Sequence, residues 1–174
     1  MNDIKQVSFF MEECRRMGVP VLGPDVNESY YKFTVNNDNA IRFGMGAIKG
    51  VGRGAVDSIV EGRNEKSYHS LFDMVKRVDL RAVNKKTFEG LILAGGLDSL
   101  SDDHRAQYFQ DKGDGVSFLE KVLRYGANYQ KHQNSSQVSM FGDENGMSLS
   151  EPEMPDCEPW GKLHELKQEK EVVG

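Results

Sequence analysis

Cysteine is almost missing. Cys14 and Cys157 are the two in 174 residues, far apart and in no C-x-x-C pair, so neither a disulfide framework nor a zinc site is expected. A reducing, cytoplasmic setting fits best. No apolar run approaches the ~20 residues of a membrane span, and the opening MNDIKQ has no basic stretch followed by an apolar one, as a secretory leader would. No membrane partner is expected. Paired acids, a Ser/His couple and clustered metal ligands are also lacking, which sets a small hydrolase aside, and no cofactor or metal is expected. Asp98, Asp102, Asp103 and His104 come nearest to a ligand set, but no second cluster completes a coordination shell. They read as solvated loop and helix-capping residues. Cys14, with no histidine nearby in sequence, reads as a small buried hydrophobe on a helix stripe.

Net charge is −5, with 38% hydrophobic and 28% charged residues, enough for one ordinary domain with polar tails or two small modules. The charge is unevenly spread. Residues 41–90 hold ten Lys and Arg against six Asp and Glu, whereas residues 134–174 hold three against nine. A basic middle and an acidic tail imply two surfaces with different partners.

The chain is organised around IKGVGRGAVDSIV, residues 48–60. Gly50 and Gly52 bracket one aliphatic, Val51, and a helical apolar pattern then begins at Ala55, Val56, Ile59 and Val60. Glycine permits positive φ and holds no side chain against a ligand, so the peptide N–H groups of Gly50 to Arg53 can turn outward at a helix N-terminus, where the dipole favours a phosphate oxygen. Lys49 and Arg53 flank the turn. The segment resembles the helix-hairpin-helix motif, which grips a nucleic-acid backbone without reading bases; the alternative is an ordinary glycine turn.

Ahead of it, Ile4, Val7, Phe10, Met11, Cys14 and Met17 predict an amphipathic helix over about 3–17, ended by Gly18. VPVLGP is an extended connector. Tyr31, Phe33 and Val35, then Ile41, Phe43 and Met45, alternate with polar residues around Asn36–Asn39 and predict a β-hairpin. Behind it, Ser70 caps a helix to Val78, and another starts near Asn84, carries Phe88, Leu91 and Ile92, and breaks at Gly95-Gly96. With a further helix from about Asp103, this looks like a degenerate second copy of the glycine unit. Lys85 and Lys86 would supply its charge, and Gly95 and Gly96 either a second backbone grip or a plain helix cap. Val116, Leu119, Val122 and Leu123 predict a helix over about 114–131.

From Asn134 the periodicity fades into glycine, proline and acid, which predicts a flexible acidic arm. Inside it Gln137, Val138, Ser139, Met140 and Phe141 form a short apolar anchor with no core of its own, the kind that fills a partner's pocket; the alternative is a loop that tucks Met140 and Phe141 onto its own domain. Weak helical character returns from Trp160, and the pattern stops at Gly174 without a cap.

ECRRMGVPVLGPDVNES (13–29), IRFGMGAIKGVG (41–52), RVDLRAVNKKTFEGLILAGGLDSL (77–100) and EKEVVG at the end closely resemble the bacterial replicative DNA polymerase III alpha subunit. The resemblance covers nearly the whole chain. It implies a region after the catalytic palm, from the distal fingers through tandem helix-hairpin-helix elements to an internal sliding-clamp motif, with QVSMF in the motif's place and Gly50 to Arg53 at the duplex-contacting hairpin. The palm carboxylates, the amino-terminal metal-binding domain and the expected OB-fold are outside this stretch, so no nucleotidyl transfer is expected, and the intact protein is expected to continue beyond both ends.

The expected fold is mostly α with a small β-hairpin. Residues 1–46 would be the end of the fingers, 47–133 the tandem helix-hairpin-helix domain, 134–159 the flexible arm and 160–174 a helix leading onward. The implied partners are double-stranded or primed DNA, bound without sequence preference, the sliding clamp, and the remaining polymerase domains and replisome subunits. The competing reading is a freestanding helix-hairpin-helix module of a nuclease or repair complex.

Overall fold

The computed structural model describes residues 4–136 and 150–174, which are mostly helical with one small sheet. The first helix, α1 (Ile4–Arg16), ends where Gly18 takes φ +70°, a conformation glycine adopts at little cost. Its expected buried stripe is not covered: Phe10 is 60% and Met17 67% exposed, and Cys14 is half-buried instead of enclosed. The helix meets the body mainly at β1 (Val21–Leu22), so much of its apolar side has nothing packed on it among the described residues.

The alternating segments form the expected hairpin. Strands β2 (Thr34–Val35) and β3 (Ile41–Arg42) pair antiparallel, Val35 opposite Ile41. The Asn36 side chain accepts the amides of Asp38 and Ala40 at 3.0 and 2.9 Å, and Asn39 takes φ 59°, both habits of asparagine in tight turns. The VPVLGP connector does more than span a gap. Strand β1 joins the other side of β3 in parallel, Val21 opposite Ile41, giving the order β1-β3-β2.

One 3-10 turn, Met45–Ala47, leads from the sheet into the glycine turn and α2 (Arg53–Glu65). Helices α3 (Leu71–Arg77) and α4 (Lys85–Leu93) start where their caps dictate: Ser70 accepts the Asp73 amide at 3.1 Å and Asn84 that of Thr87 at 3.2 Å, satisfying donors the first helical turn leaves open. Helix α5 (Arg105–Phe109) is a short piece, and α6 (Phe118–Ser136) starts later and runs further than the expected 114–131. Ile59, Met74, Phe88, Leu91, Leu119 and Val122 are fully enclosed where α2, α3, α4 and α6 meet. Phe72 sets its ring edge-on to Phe118 and Tyr125.

The expected arm over 134–159 needs correction at both ends. Residues 134–136 belong to α6, and residues 150–160 are laid along the domain as a strap. Lys76 and Lys112 hold Glu151 and Glu153 at 2.9 and 3.0 Å, Gln107 donates to the Pro155 carbonyl at 2.8 Å, and the His104 imidazole Nε2 bonds the Cys157 carbonyl at 2.9 Å. Trp160 stacks on Phe109 at 5.5 Å. Partners elsewhere in the chain take up the strap's carbonyls and acids, while Met154 packs against the core and Pro155 is buried. Last comes α7 (Lys162–Val173), packed on α4 with Val172 buried.

Candidate nucleic-acid interface

The glycine turn is built by turning its aliphatics inward. Ile48 and Val51 are buried, and the Ile48 carbonyl accepts the Val51 amide at 3.1 Å, closing a tight loop. Gly50, at φ +90°, reverses the chain between them. Gly52 has an ordinary extended conformation, φ −85° and ψ 166°, and caps α2; only Gly50 therefore needs glycine for its backbone. Val51, expected among the backbone-binding residues, contributes a core side chain, and its N–H is already used. The amides of Gly50, Gly52, Arg53 and Gly54 take no hydrogen bond among the described residues. They open at the positive end of α2, an arrangement suited to anionic oxygen.

Helix α4 braces this turn from behind. Thr87, itself buried, donates its hydroxyl to the Gly50 carbonyl at 3.2 Å. A Cβ on Gly90 would stand 2.7 Å from the Lys49 carbonyl oxygen, and one on Gly50 would meet Lys86 Cγ at 3.2 Å. The start of the second unit thus lies against the first turn, which brings Lys86 beside Gly50. From the other side α7 reaches in: the Lys49 amide donates to the Val172 carbonyl at 2.9 Å. Thr87 and Gly90 were not among the expected site residues. Their spacing with Leu91, three and four residues apart on α4, was the readable sign of a face narrow enough for another backbone to approach.

The cations divide into two groups. Lys49 and Lys86 are exposed and form no ion pair among the described residues. Arg53 reaches along α2 to Asp57 at 3.2 Å and lies 4.9 Å from the centre of the Tyr31 ring. Lys85 bonds Glu120 at 2.9 Å; that hydrogen bond raises the Lys85 amine above its ordinary value and lowers the Glu120 carboxyl, so its charge faces a partner within the fold. Arg63 and Arg77, part of the basic middle, are structural. Arg63 is buried and donates to the Val26 carbonyl at 2.9 Å, and Arg77 holds Asp73 at 2.8 Å.

Gly95 and Gly96 do not repeat the arrangement. Their amides donate to the carbonyls of Ile92 at 3.0 Å and Leu91 at 2.7 Å, which is the double bond of a glycine helix cap. The Arg105 guanidinium lies over Gly95, bonding Asp98 at 2.6 Å and Glu169 at 2.6 Å. With both N–H groups turned back into α4, the pair ends a helix and offers no amide to a phosphate. Gln137, Val138, Ser139, Met140 and Phe141 lie outside the described residues.

The family comparison matches a stretch that contains this turn. Residues 18–108, just over half of the chain, match the family model described as helix-hairpin-helix motif. The chain belongs to the helix-hairpin-helix family. Among its relatives, the DNA polymerase III subunit alpha of Escherichia coli strain K12 is 36% identical over 180 residues, covering 100% of this chain and 14% of that protein. The same subunit of Vibrio cholerae is 36% identical with the same coverage, and that of Pseudomonas aeruginosa 34% identical, covering 16% of the protein. This helix-hairpin-helix chain therefore spans about a seventh of the length of the curated relatives it matches. None of its described helices is long and apolar enough to cross a membrane.

Proposed function

We propose that this chain is a non-catalytic stretch of a replicative DNA polymerase alpha subunit that holds duplex or primed DNA by its phosphates and tethers the enzyme to a sliding clamp. The observation carrying the first half is the set of amides at Gly50 and Gly52 to Gly54 on the N-terminus of α2 that are unbonded among the described residues, with Lys49 and Lys86, unpaired among those residues, beside it. Peptide amides see phosphate oxygens, which are alike at every base pair, so binding is independent of sequence. The clamp half rests on the residue pattern Gln137 to Phe141 and on the similarity to polymerase III alpha subunits over the whole chain. Chemistry belongs elsewhere in such a polymerase, and the chain alone should extend no primer.

Titration of the chain with random-sequence duplexes at several salt concentrations tests the DNA half. Neutralising two to four phosphates gives a logarithmic salt slope of about −2 to −4. A strong preference for one sequence, or affinity indifferent to salt, would overturn it.

A further inference from the structure

Beside the glycine turn, a cleft of about 560 Å³ runs between Tyr30–Lys32 and the outer face of α2, a volume in the range that holds small ligands. Its walls carry Tyr30, Tyr31, Lys32, Arg53, Asp57 and Glu61. Two cations face two acids, so the cleft has no net pull on a phosphate. What it offers is aromatic surface. Tyr30 is 50% exposed, and the Arg63 guanidinium, which lies outside the cleft, sits 4.6 Å from the centre of its ring. Arg63 is fixed there by backbone carbonyls of residues 26–29. A fixed cation on one face withdraws electron density from a ring and holds it still, and a still, electron-poor ring is a good platform for a nucleobase.

We propose that this cleft takes one unstacked nucleobase from the single-stranded end of DNA whose phosphates lie on the glycine turn. The inference rests on the duplex-binding reading, because Arg53 is shared: it is the first residue of α2, behind the capping Gly52, and it also walls the cleft over Tyr31. A strand leaving the turn meets Arg53 and then the tyrosines. Phosphates stay with the amides and the base enters the neutral cleft. Glu61, with no ion pair among the described residues, lines the cleft as an acceptor for the exocyclic amino group of cytosine or adenine, which thymine lacks.

The test compares a blunt duplex with the same duplex bearing a short single-stranded extension that carries a fluorescent aminopurine, using the wild-type chain, Tyr30→Ser and Tyr30→Phe. One stacked base gives about fivefold tighter binding or more, with quenching of the aminopurine. Tyr30→Phe keeps both effects; Tyr30→Ser loses both and still binds the blunt duplex like wild type, which also shows that it folds. If the extension adds nothing while the blunt duplex binds, or if Tyr30→Ser keeps the gain, the base cleft is wrong and the phosphate reading stands. If the wild-type chain binds neither DNA, both fall together.

Discussion

Gly90 of α4 and Lys49 of the glycine turn meet backbone to backbone, so closely that a Cβ on Gly90 would stand 2.7 Å from the Lys49 carbonyl oxygen. No side chain is available there to give way, because the atom opposed is main chain. Gly90→Ala should therefore push α4 and the turn apart and cost about 1–3 kcal/mol, the usual range for an overpacked core. Chemical denaturation reads the loss directly, and DNA affinity should fall with it, since Thr87 loses its hold on the Gly50 carbonyl.

The two glycines of the turn should separate in experiment. Gly50 sits at φ +90° against Lys86, so Gly50→Val strains the backbone by about 1–3 kcal/mol and lowers melting temperature and DNA affinity together. Gly52 has an ordinary φ and nothing within 4 Å of a Cβ. Gly52→Ala should change stability by about 1 kcal/mol or less, as at any N-cap, while its methyl holds a phosphate away from the α2 amides. Unchanged DNA binding by Gly52→Ala would show that the phosphate sits elsewhere.

Tyr68 makes stability sensitive to alkali. Burial pushes its phenol up to about 12, against the pull of Arg77 and Arg63, and its hydroxyl donates to the Ile59 carbonyl at 2.9 Å. In the unfolded chain a tyrosine ionises near ~10. The folded-state value is the higher one, so its contribution is complete below pH ~10 and is lost as pH rises towards 12. Tyr68→Phe should cost about 1 kcal/mol at neutral pH through the missing hydrogen bond, with the deficit shrinking above pH ~10. Urea midpoints of both proteins on either side of that pH check the sign.

Much of the fold was legible because its signals are local. Ser70 and Asn84 cap helices three residues ahead, Asn36–Asn39 closes a hairpin, and Gly18 ends α1; each needs only its neighbours. What escaped depends on distant partners. The strap of residues 150–160 is held by His104, Gln107 and Phe109 one contact at a time, which leaves no periodicity to read. Arg63 and Arg77 look like surface charge until the carbonyls and rings that enclose them are known. At the site, the position of the Gly50 turn was readable, but the choice among its amides was not. That Val51 gives its N–H to Ile48, and that Gly95 and Gly96 return theirs to α4, are decided by backbone geometry that a glycine spacing leaves open.

The clamp tether is tested by Phe141→Ala and Gln137→Ala. Loss of an aromatic anchor costs about 2 kcal/mol or more, roughly thirtyfold in clamp affinity, whereas water can replace part of what Gln137 bonds, so the second variant should lose less. A tether leaves thermal unfolding unchanged in both. A melting temperature several degrees lower for Phe141→Ala, with clamp affinity intact, would make it a packing residue instead.

The hydrogen bond from the Lys49 amide to the Val172 carbonyl joins the glycine turn to the last helix of the chain. It makes α7 a strut that sets the angle at which the turn meets the helix behind it. Tension applied through α7 would reach the residue next to Gly50 through one hydrogen bond, with no intervening loop to absorb it. If the turn holds a nucleic-acid backbone as proposed, the grip and the helix behind it would then move as one lever.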